Sequence, residues 1–359
     1  MPAEGDKFQK IRLLISMLNK RFLENAVDSE CFSVDEAIVP YYGRHSCKQF
    51  IKGKPLRFGY KLWVVASPNG YVLNIQPYPG VAEKSNDDID LGSSANVVWH
   101  FANILRTKYP EQKLSMTFDN YFTSIPLLQT LKSKLDILAT GTIRQNRVPN
   151  LPVDKSFNKE ERGTCTEWVS DDTNLCLTAW NDNKVVLILS SSHGRVPEKN
   201  VGRYSRKDKK RIDVTCPASV VHYNKTMGGV DQSDANISRC RTSIRGKKWY
   251  YPIFLYLLDL AVSNAWILFR ICCPSNRSMT MASFRGEIAL NLLSHNRRGK
   301  RSISQVPSDF RYSQTSHLIR YCEKQNRCVV CKKNAKFFCS GCNAVLHPKD
   351  CFFLFHIKP

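Results

Sequence analysis

The chain has 359 residues, 42% of them apolar and including 14 Tyr, 18 Phe and 6 Trp, so it can bury a sizeable core and wholesale disorder is excluded. Against 31 Asp and Glu stand 53 Lys and Arg, a formal charge of +22. Residues 201–359 carry +19 of that excess, a localised charge that points to a polyanion: nucleic acid first, an anionic membrane surface second.

The length suits two or three domains. Residues 1–10 hold no apolar signal core, so the 14 Cys are expected to be reduced and intracellular, with no disulfide framework. Residues 9–24 have helical apolar spacing. Strands are expected at 32–39 and 58–66, and the turn Ser67-Pro68-Asn69-Gly70 returns the chain as a partner strand at 71–75. A helix at 93–108, a strand at 113–118, a helix at 125–134 and a strand at 137–143 follow. Ser124 and Pro126 supply the start signal of the second of these helices. This order predicts a mixed α/β sheet. Residues 145–216 read as β-rich, with strands near 165–169, 175–180 and 185–189. Helix returns at 218–238 and 250–295, and 296–316 is a polar, basic linker. The apolar stretch 250–273 is interrupted by Asp259, Asn264 and Arg270, which argues for a core helix and against a membrane span.

Four acids stand out. Asp35 lies inside the first strand, Asp119 ends a later strand, and Asp231 and Asp234 open a helix after Met227-Gly228-Gly229. A phosphodiester-cleaving centre needs carboxylates from separate elements to hold two cations about 4 Å apart, and Mg²⁺ prefers such hard oxygens. Spacing alone leaves other roles open. Asp119 also suits a loop cap, and Asp231 and Asp234 suit a helix N-terminus. Asp35 is harder to explain that way, because an unpaired buried carboxylate is costly.

The segments Ser33-Val34-Asp35-Glu36, Phe118-Asp119-Asn120-Tyr121-Phe122-Thr123-Ser124 and Tyr223 through Asp234 resemble the piggyBac transposase family, as do Lys54-Pro55, Gly59-Tyr60-Lys61-Leu62 and Gly141-Thr142-Ile143-Arg144. The resemblance spans nearly the whole chain and is closest to the domesticated, element-derived members. It implies an RNase H-like fold of the DDE/DDD transposase type, with a β-rich insertion, a partial helical domain and a C-terminal cross-brace zinc domain. The implied triad is Asp35, Asp119 and Asp231, using Mg²⁺, with Asp234 as accessory acid. The implied domains are a remnant of a helical dimerisation and DNA-binding domain (1–30), the catalytic domain in two parts (31–144 and 217–238) around the insertion (145–216), the second half of the helical domain (239–305), a linker (306–316) and a cysteine-rich domain (317–359). Family members carry a longer segment before the first acid. This chain is therefore expected to be a short form that lacks autonomous transposition and exposes apolar surface along the helix from Phe254 to Phe269. The implied partners are double-stranded DNA and a second copy of the chain, with no membrane.

Near the C-terminus, Cys328, Cys331, Cys339, Cys342, His347, Cys351 and His356 fall within 29 residues. Two C-x2-C pairs are a strong zinc signal. Alternating pairing puts Cys328, Cys331, His347 and Cys351 on one ion and Cys339, Cys342 and His356 on a second, completed by His317 or Cys322, with His317 preferred. A ubiquitin-ligase RING fits less well, because its ligand order differs. The candidate phosphate-contacting residues are Arg206, Lys207, Lys209, Lys210, Arg211, Arg239, Arg241, Arg245, Lys247 and Lys248. The runs 206–211 and 297–301 also suit nuclear import. Three functions follow as expectations: DNA binding, metal-dependent strand cleavage or transfer, and a zinc-dependent protein-interaction module.

Overall fold

The computed structural model describes residues 6–51, 56–80, 89–149, 155–206, 208–295 and 317–357. Lys54-Pro55, Lys207 and the linker 296–316 lie outside the described residues. The chain divides into two compact units, residues 1–276 and 277–359.

In the first unit the order is α1 (Gln9–Glu24), β1 (Cys31–Pro40), β2 (Gln49–Phe50), β3 (Phe58–Ala66), β4 (Val72–Pro77), α2 (Ser93–Lys108), β5 (Leu114–Phe118), α3 (Ile125–Leu135) and β6 (Ile137–Thr142). Then come β7 (Cys165–Val169), β8 (Cys176–Asn181), β9 (Val185–Ser190), β10 (Lys199–Ser205), β11 (Lys210–Cys216), α4 (Ala218–Thr226), α5 (Gly229–Arg239) and α6 (Tyr251–Cys272). A nine-stranded sheet runs β2-β3-β1-β5-β6-β9-β8-β7, with β4 also on β3. β1, β5 and β6 are parallel and β3 is antiparallel to β1, the RNase H-like arrangement. β9 pairs antiparallel with β6, so β7–β9 extend the core sheet and cover its parallel edge. β10 and β11 form a separate ribbon.

Strand alternation sorts side chains to two faces. On β1, Ala37 and Val39 join a core cluster with Phe8, Ile11 and Ile15 of α1, Val230 and Ile237 of α5, and Ile253, Leu257 and Leu260 of α6. α1, α5 and α6 therefore cover one face of β1 and β3. Each large apolar side chain buried there contributes about 1.5–3 kcal/mol. The helical stretch 218–238 is interrupted at Met227-Gly228, where the sequence places the opening of the helix that bears Asp231 and Asp234. α4 ends and α5 begins there, and Gly229 sits hard against the sheet. A Cβ on it would lie 2.5 Å from the Ser67 carbonyl oxygen and 2.6 Å from Ser33 Oγ. Gly70, at φ +89° in the β3–β4 turn, leans on Ser233 and Gln232 of α5 from the other side.

α6 is long and apolar enough to cross a membrane by length and composition, yet ten of its residues are buried within the unit. Its polar interruptions have partners. Asn264 Oδ1 accepts from Val72 N–H at 3.0 Å and its Nδ2 donates to Val72 C=O at 2.8 Å, which closes the open edge of β4. Asp259, 1% exposed, accepts from Thr242 N–H at 2.9 Å and from Thr242 Oγ1 at 2.7 Å, which fastens the basic loop after α5. Phe254 and Leu258 remain 40% and 46% exposed, as expected of this helix.

The second unit contains α7 (Met281–His295), the hairpin β12 (Ile319–Arg327) and β13 (Asn334–Cys339), and α8 (Asp350–His356). Around the hairpin the core is small: Cys328, Ala335, Cys339, Cys342, Ala344, Leu346 and Phe355.

Asn264→Leu would strand the buried Val72 N–H and C=O. Stability is expected to fall by about 2–4 kcal/mol, measured as a drop in the urea midpoint. An unchanged midpoint would show that Asn264 does not close the β4 edge.

Candidate metal centres and basic surface

β1 and β5 run parallel with Val34 opposite Phe118. One residue on, Asp35 and Asp119 stand side by side, their strands about 4.8 Å apart. β5 ends at Phe118 while β1 continues to Pro40, so the two acids lie at a notch in the sheet. Both project to the face covered by α4 and α5. The neighbouring Thr117 confirms the direction, since its Oγ1 lies 2.7 Å from Thr226 Oγ1 of α4. Asp231 sits in the first turn of α5, and Gly229, two residues earlier, sets how closely that turn approaches Ser33.

The notch is a cluster of negative charge that Lys61 offsets only in part. Burial first, then the charge of Glu36, push the Asp35 carboxyl up to about 7. The Glu36 N–H opposes this through its 2.8 Å hydrogen bond to Asp35 Oδ1, while Asp119 and Asp231 add to the rise. Asp119 is also raised, by burial first and then by Glu36, against the hydrogen bond from Tyr121 N–H and the charge of Lys61. Tyr223 of α4 is pushed up to about 12 by burial and by the same three aspartates, and so stays protonated beside them. Charge from Asp119 and Asp231, on two other elements, thus reaches Asp35, though among the described residues only two Cys/His groups bring three or more ligand atoms within 4.8 Å of one another.

Asp234 lies one turn further along α5. Tyr256 Oη of α6 donates to its Oδ1 at 3.3 Å, so the carboxylate is tied to the helix layer. Two residues that sequence reasoning missed line the other side of the notch. Lys61 Nζ is 3.7 Å from Glu36 Oε2, 4.0 Å from the Trp63 ring centroid and 4.8 Å from that of Tyr121. The available signal was the register Glu36↔Trp63 and Ile38↔Lys61, which makes Glu36 and Lys61 diagonal neighbours.

In the second unit two four-residue groups each bring their ligand atoms within 4.8 Å of one another: Cys328, Cys331, His347 and Cys351, and His317, Cys339, Cys342 and His356. This is the interleaved partition expected from the spacing, with His317 as the eighth member. Cys322, on β12, belongs to neither group. Each C-x2-C is held by the same turn. Lys332 and Asn343, the residues after the second Cys, adopt φ +62° and +54°. Their N–H groups donate to the carbonyls of Cys328 (2.9 Å) and Cys339 (2.8 Å). The spacings fit a tetrahedral ion. With bonds of about 2.3 Å to sulfur and about 2.0 Å to nitrogen, an S···N edge is about 3.5 Å. Cys331 Sγ to His347 Nδ1 is 3.3 Å, and Cys342 Sγ to His356 Nε2 is 3.5 Å. The far nitrogen of each ring meets a backbone carbonyl, His347 Nε2 at Asn334 O (3.1 Å) and His356 Nδ1 at Phe352 O (2.8 Å). Donation there leaves the near nitrogen's lone pair for a metal. A hydrogen bond from Cys342 pulls Cys339 down to about 3 against burial, helped by His317.

The basic candidates Arg206, Lys209, Lys210, Arg211, Arg239, Arg241, Arg245, Lys247 and Lys248 are all exposed. The first four surround the tip of the β10–β11 ribbon, and the last four lie in the loop between α5 and α6 that Asp259 fastens.

A family model described as Transposase IS4 matches residues 1–266. Human PiggyBac transposable element-derived protein 3 is 40% identical over 96% of this chain and 58% of its own length. Human PiggyBac transposable element-derived protein 2 is 33% identical over 99% of this chain and 60% of its own. The chain thus spans about three fifths of these relatives. A piggyBac transposase, solved by cryo-EM as a synaptic complex with hairpin DNA, shares the fold with a TM-score of 0.66 at 21% identity, over 92% of this chain and 72% of that one.

An acid whose pKa rises from 3.8 to about 7 on folding holds its proton more tightly when folded. That group's contribution therefore becomes less favourable as pH climbs from about 4 to about 7, and stays so above. Asp35→Asn is expected to raise Tm by about 3 °C or more at pH 8 and to leave it unchanged near pH 4. A pH-independent difference would contradict the burial of that charge. For the second unit, elemental analysis is expected to find two zinc ions per chain. Cys339→Ser should lose one and unfold the hairpin, read as new backbone exchange confined to 317–357. Unchanged metal content would remove Cys339 from the ligand set.

Proposed function

Because the chain belongs to the piggyBac family of transposases, we propose that it is a nuclear, zinc-containing protein that binds double-stranded DNA without autonomous transposition. The supporting observation is the disposition of charge. Residues 201–359 hold +19 of the +22, and the nine described basic candidates among residues 206–248 are exposed. The segment that bears Asp35 and Asp119, by contrast, contributes little net charge: residues 31–145 hold 13 Lys and Arg against 9 Asp and Glu. Phosphate contacts made by such side chains release condensed counterions. Two zinc ions would supply the folding energy that the small core around β12 and β13 lacks. As in the family, a second copy of the chain is a further proposed partner.

A second reading, strand cleavage or transfer, rests on the adjacency of Asp35 and Asp119 and on Asp231 in the first turn of α5, whose charge reaches Asp35. These three would hold Mg²⁺, which when bound activates an attacking hydroxyl and stabilises the leaving oxygen of a phosphodiester. Asp35 would lose its proton on binding the ion. Glu36 and the rings of Trp63 and Tyr121 hold Lys61 at the notch, where its ammonium offsets part of the negative charge. Tyr223, kept protonated, is a hydrogen-bond donor beside the acids.

Filter binding to duplex DNA across a salt series is expected to give a slope of log K against log salt of about −4 or steeper, equivalent to five or more phosphates. Replacing Arg241, Arg245, Lys247 and Lys248 with Gln should flatten that slope by about 3. A flat wild-type response would sink the proposal. For the second reading, supercoiled DNA is expected to be nicked with Mn²⁺ or Mg²⁺ by the wild type and not by Asp119→Asn. Equal nicking by both would assign the activity to something other than the notch.

A further inference from the structure

We propose that the β10–β11 ribbon reads base edges in the major groove of duplex DNA, an inference that rests on the DNA-binding function proposed above. The ribbon's register is Asn200↔Thr215, Gly202↔Asp213 and Tyr204↔Arg211 on one face. All six of these residues are exposed. The opposite face carries Val201, Arg203, Ser205, Ile212, Val214 and Cys216, which are half-buried or buried. Val214 and Cys216 pack in a core cluster with Trp180, Ile188 and Val220, and Val201 and Ile212 lie against it. The ribbon is thus fixed by one face, and the other is a hydrogen-bonding surface with no apolar side chain except the Tyr204 ring.

The composition of that face matches base-edge chemistry. Arg donates in a fork to guanine O6 and N7, Asn pairs with adenine N6 and N7, Asp accepts from cytosine N4, and Thr serves either role. Gly202 lies at the centre, and open space surrounds the position of its missing Cβ. A major groove about 12 Å wide admits a two-stranded ribbon. The charge is complementary as well. Arg206, Lys209 and Lys210 flank the exposed end, where phosphates line a groove. Asp208 is the exception, and it is occupied: Ser205 Oγ donates to its Oδ2 at 2.6 Å, and its N–H donates to Ser205 Oγ at 3.2 Å, which holds the turn.

The inner face is pinned. Arg162 bridges Asp182 at 2.5 Å and donates to the Tyr204 carbonyl at 3.1 Å. Arg203 Nε lies 3.5 Å from Asp182 Oδ2, and its guanidinium is 5.5 Å from the centroid of the Trp180 ring. A pre-set ribbon loses little conformational entropy on docking.

The test uses the full chain and duplexes selected from a randomised pool, followed by methylation interference at guanine N7 in the major groove. For the wild type, N7 methylation at one or more selected positions is expected to block binding. Arg211→Ala and Asn200→Ala, both surface changes checked by circular dichroism, should each cut discrimination at one base position by about tenfold to a hundredfold. Lys209→Gln with Lys210→Gln should instead weaken all duplexes alike and flatten the salt slope by about 2. Salt-dependent binding with no N7 interference, or with a footprint unchanged in Arg211→Ala and Asn200→Ala, would overturn the groove assignment and leave DNA binding standing. No binding to any duplex would overturn both.

Discussion

The parallel pairing of β1 with β5 is the constraint from which the rest of the site follows. It puts Asp35, on the sheet backbone, beside Asp119, the first residue after β5. β5 stops one residue before its acid while β1 runs on, so the pair faces a notch and not a packed interior. The third acid comes from more than a hundred residues later, on a helix whose approach is set by Gly229. A side chain there would push α5 off Ser33 and Ser67 and carry Asp231 away. Folding thus gathers like charges at a cost, visible in the raised Asp35 and Asp119. The cost is tolerable because the surrounding sheet and the α1–α5–α6 layer bury enough apolar surface to hold the elements in place.

The two signs of charge are used in opposite ways. Asp35 and Asp119 are drawn inward and sit partly buried at the notch, while Asp231 is exposed. The bases lie outside, on a ribbon tip and on a loop, each fastened from below by a buried carboxylate or a hydroxyl–carboxylate pair. The C-terminal unit has neither device. Its hairpin is organised by thiols and imidazoles, and three of its seven buried core residues are themselves candidate ligands. Metal there would take the place of a hydrophobic core.

Much of this was legible in the sequence, and the limits are physical. Core strands and helices showed themselves through apolar period, which local chain geometry dictates. Asp35 drew attention because a carboxylate in an apolar strand needs a reason. The interleaved groups followed from the spacing of two C-x2-C units, and His317, not Cys322, lies in the second group. What stayed hidden depends on contacts between residues far apart in the chain. The close approach of α5 to the sheet exists because Gly229 meets Ser67 and Ser33 with no side chain. The joining of β9 to β6 is a long-range pairing without a local signature. In the ribbon, the run from 206 to 211 drew attention as charge and obscured the alternation of Val201, Ile212 and Val214. Asp234, grouped with the other acids by its i, i+3 spacing from Asp231, turned out to have a partner on α6. Glu36 and Lys61 emerged only once the register was known.

Iron-directed backbone cleavage would test most directly whether Asp35, Asp119 and Asp231 hold one cation. Fe²⁺ bound in place of Mg²⁺, with ascorbate and peroxide, cuts the polypeptide near its ligands. The expected result is three clusters of cuts, around residues 35, 119 and 231, that disappear together as Mg²⁺ is added. Cuts confined to one of these segments, or cuts that Mg²⁺ does not suppress, would mean that the three acids do not form a common site.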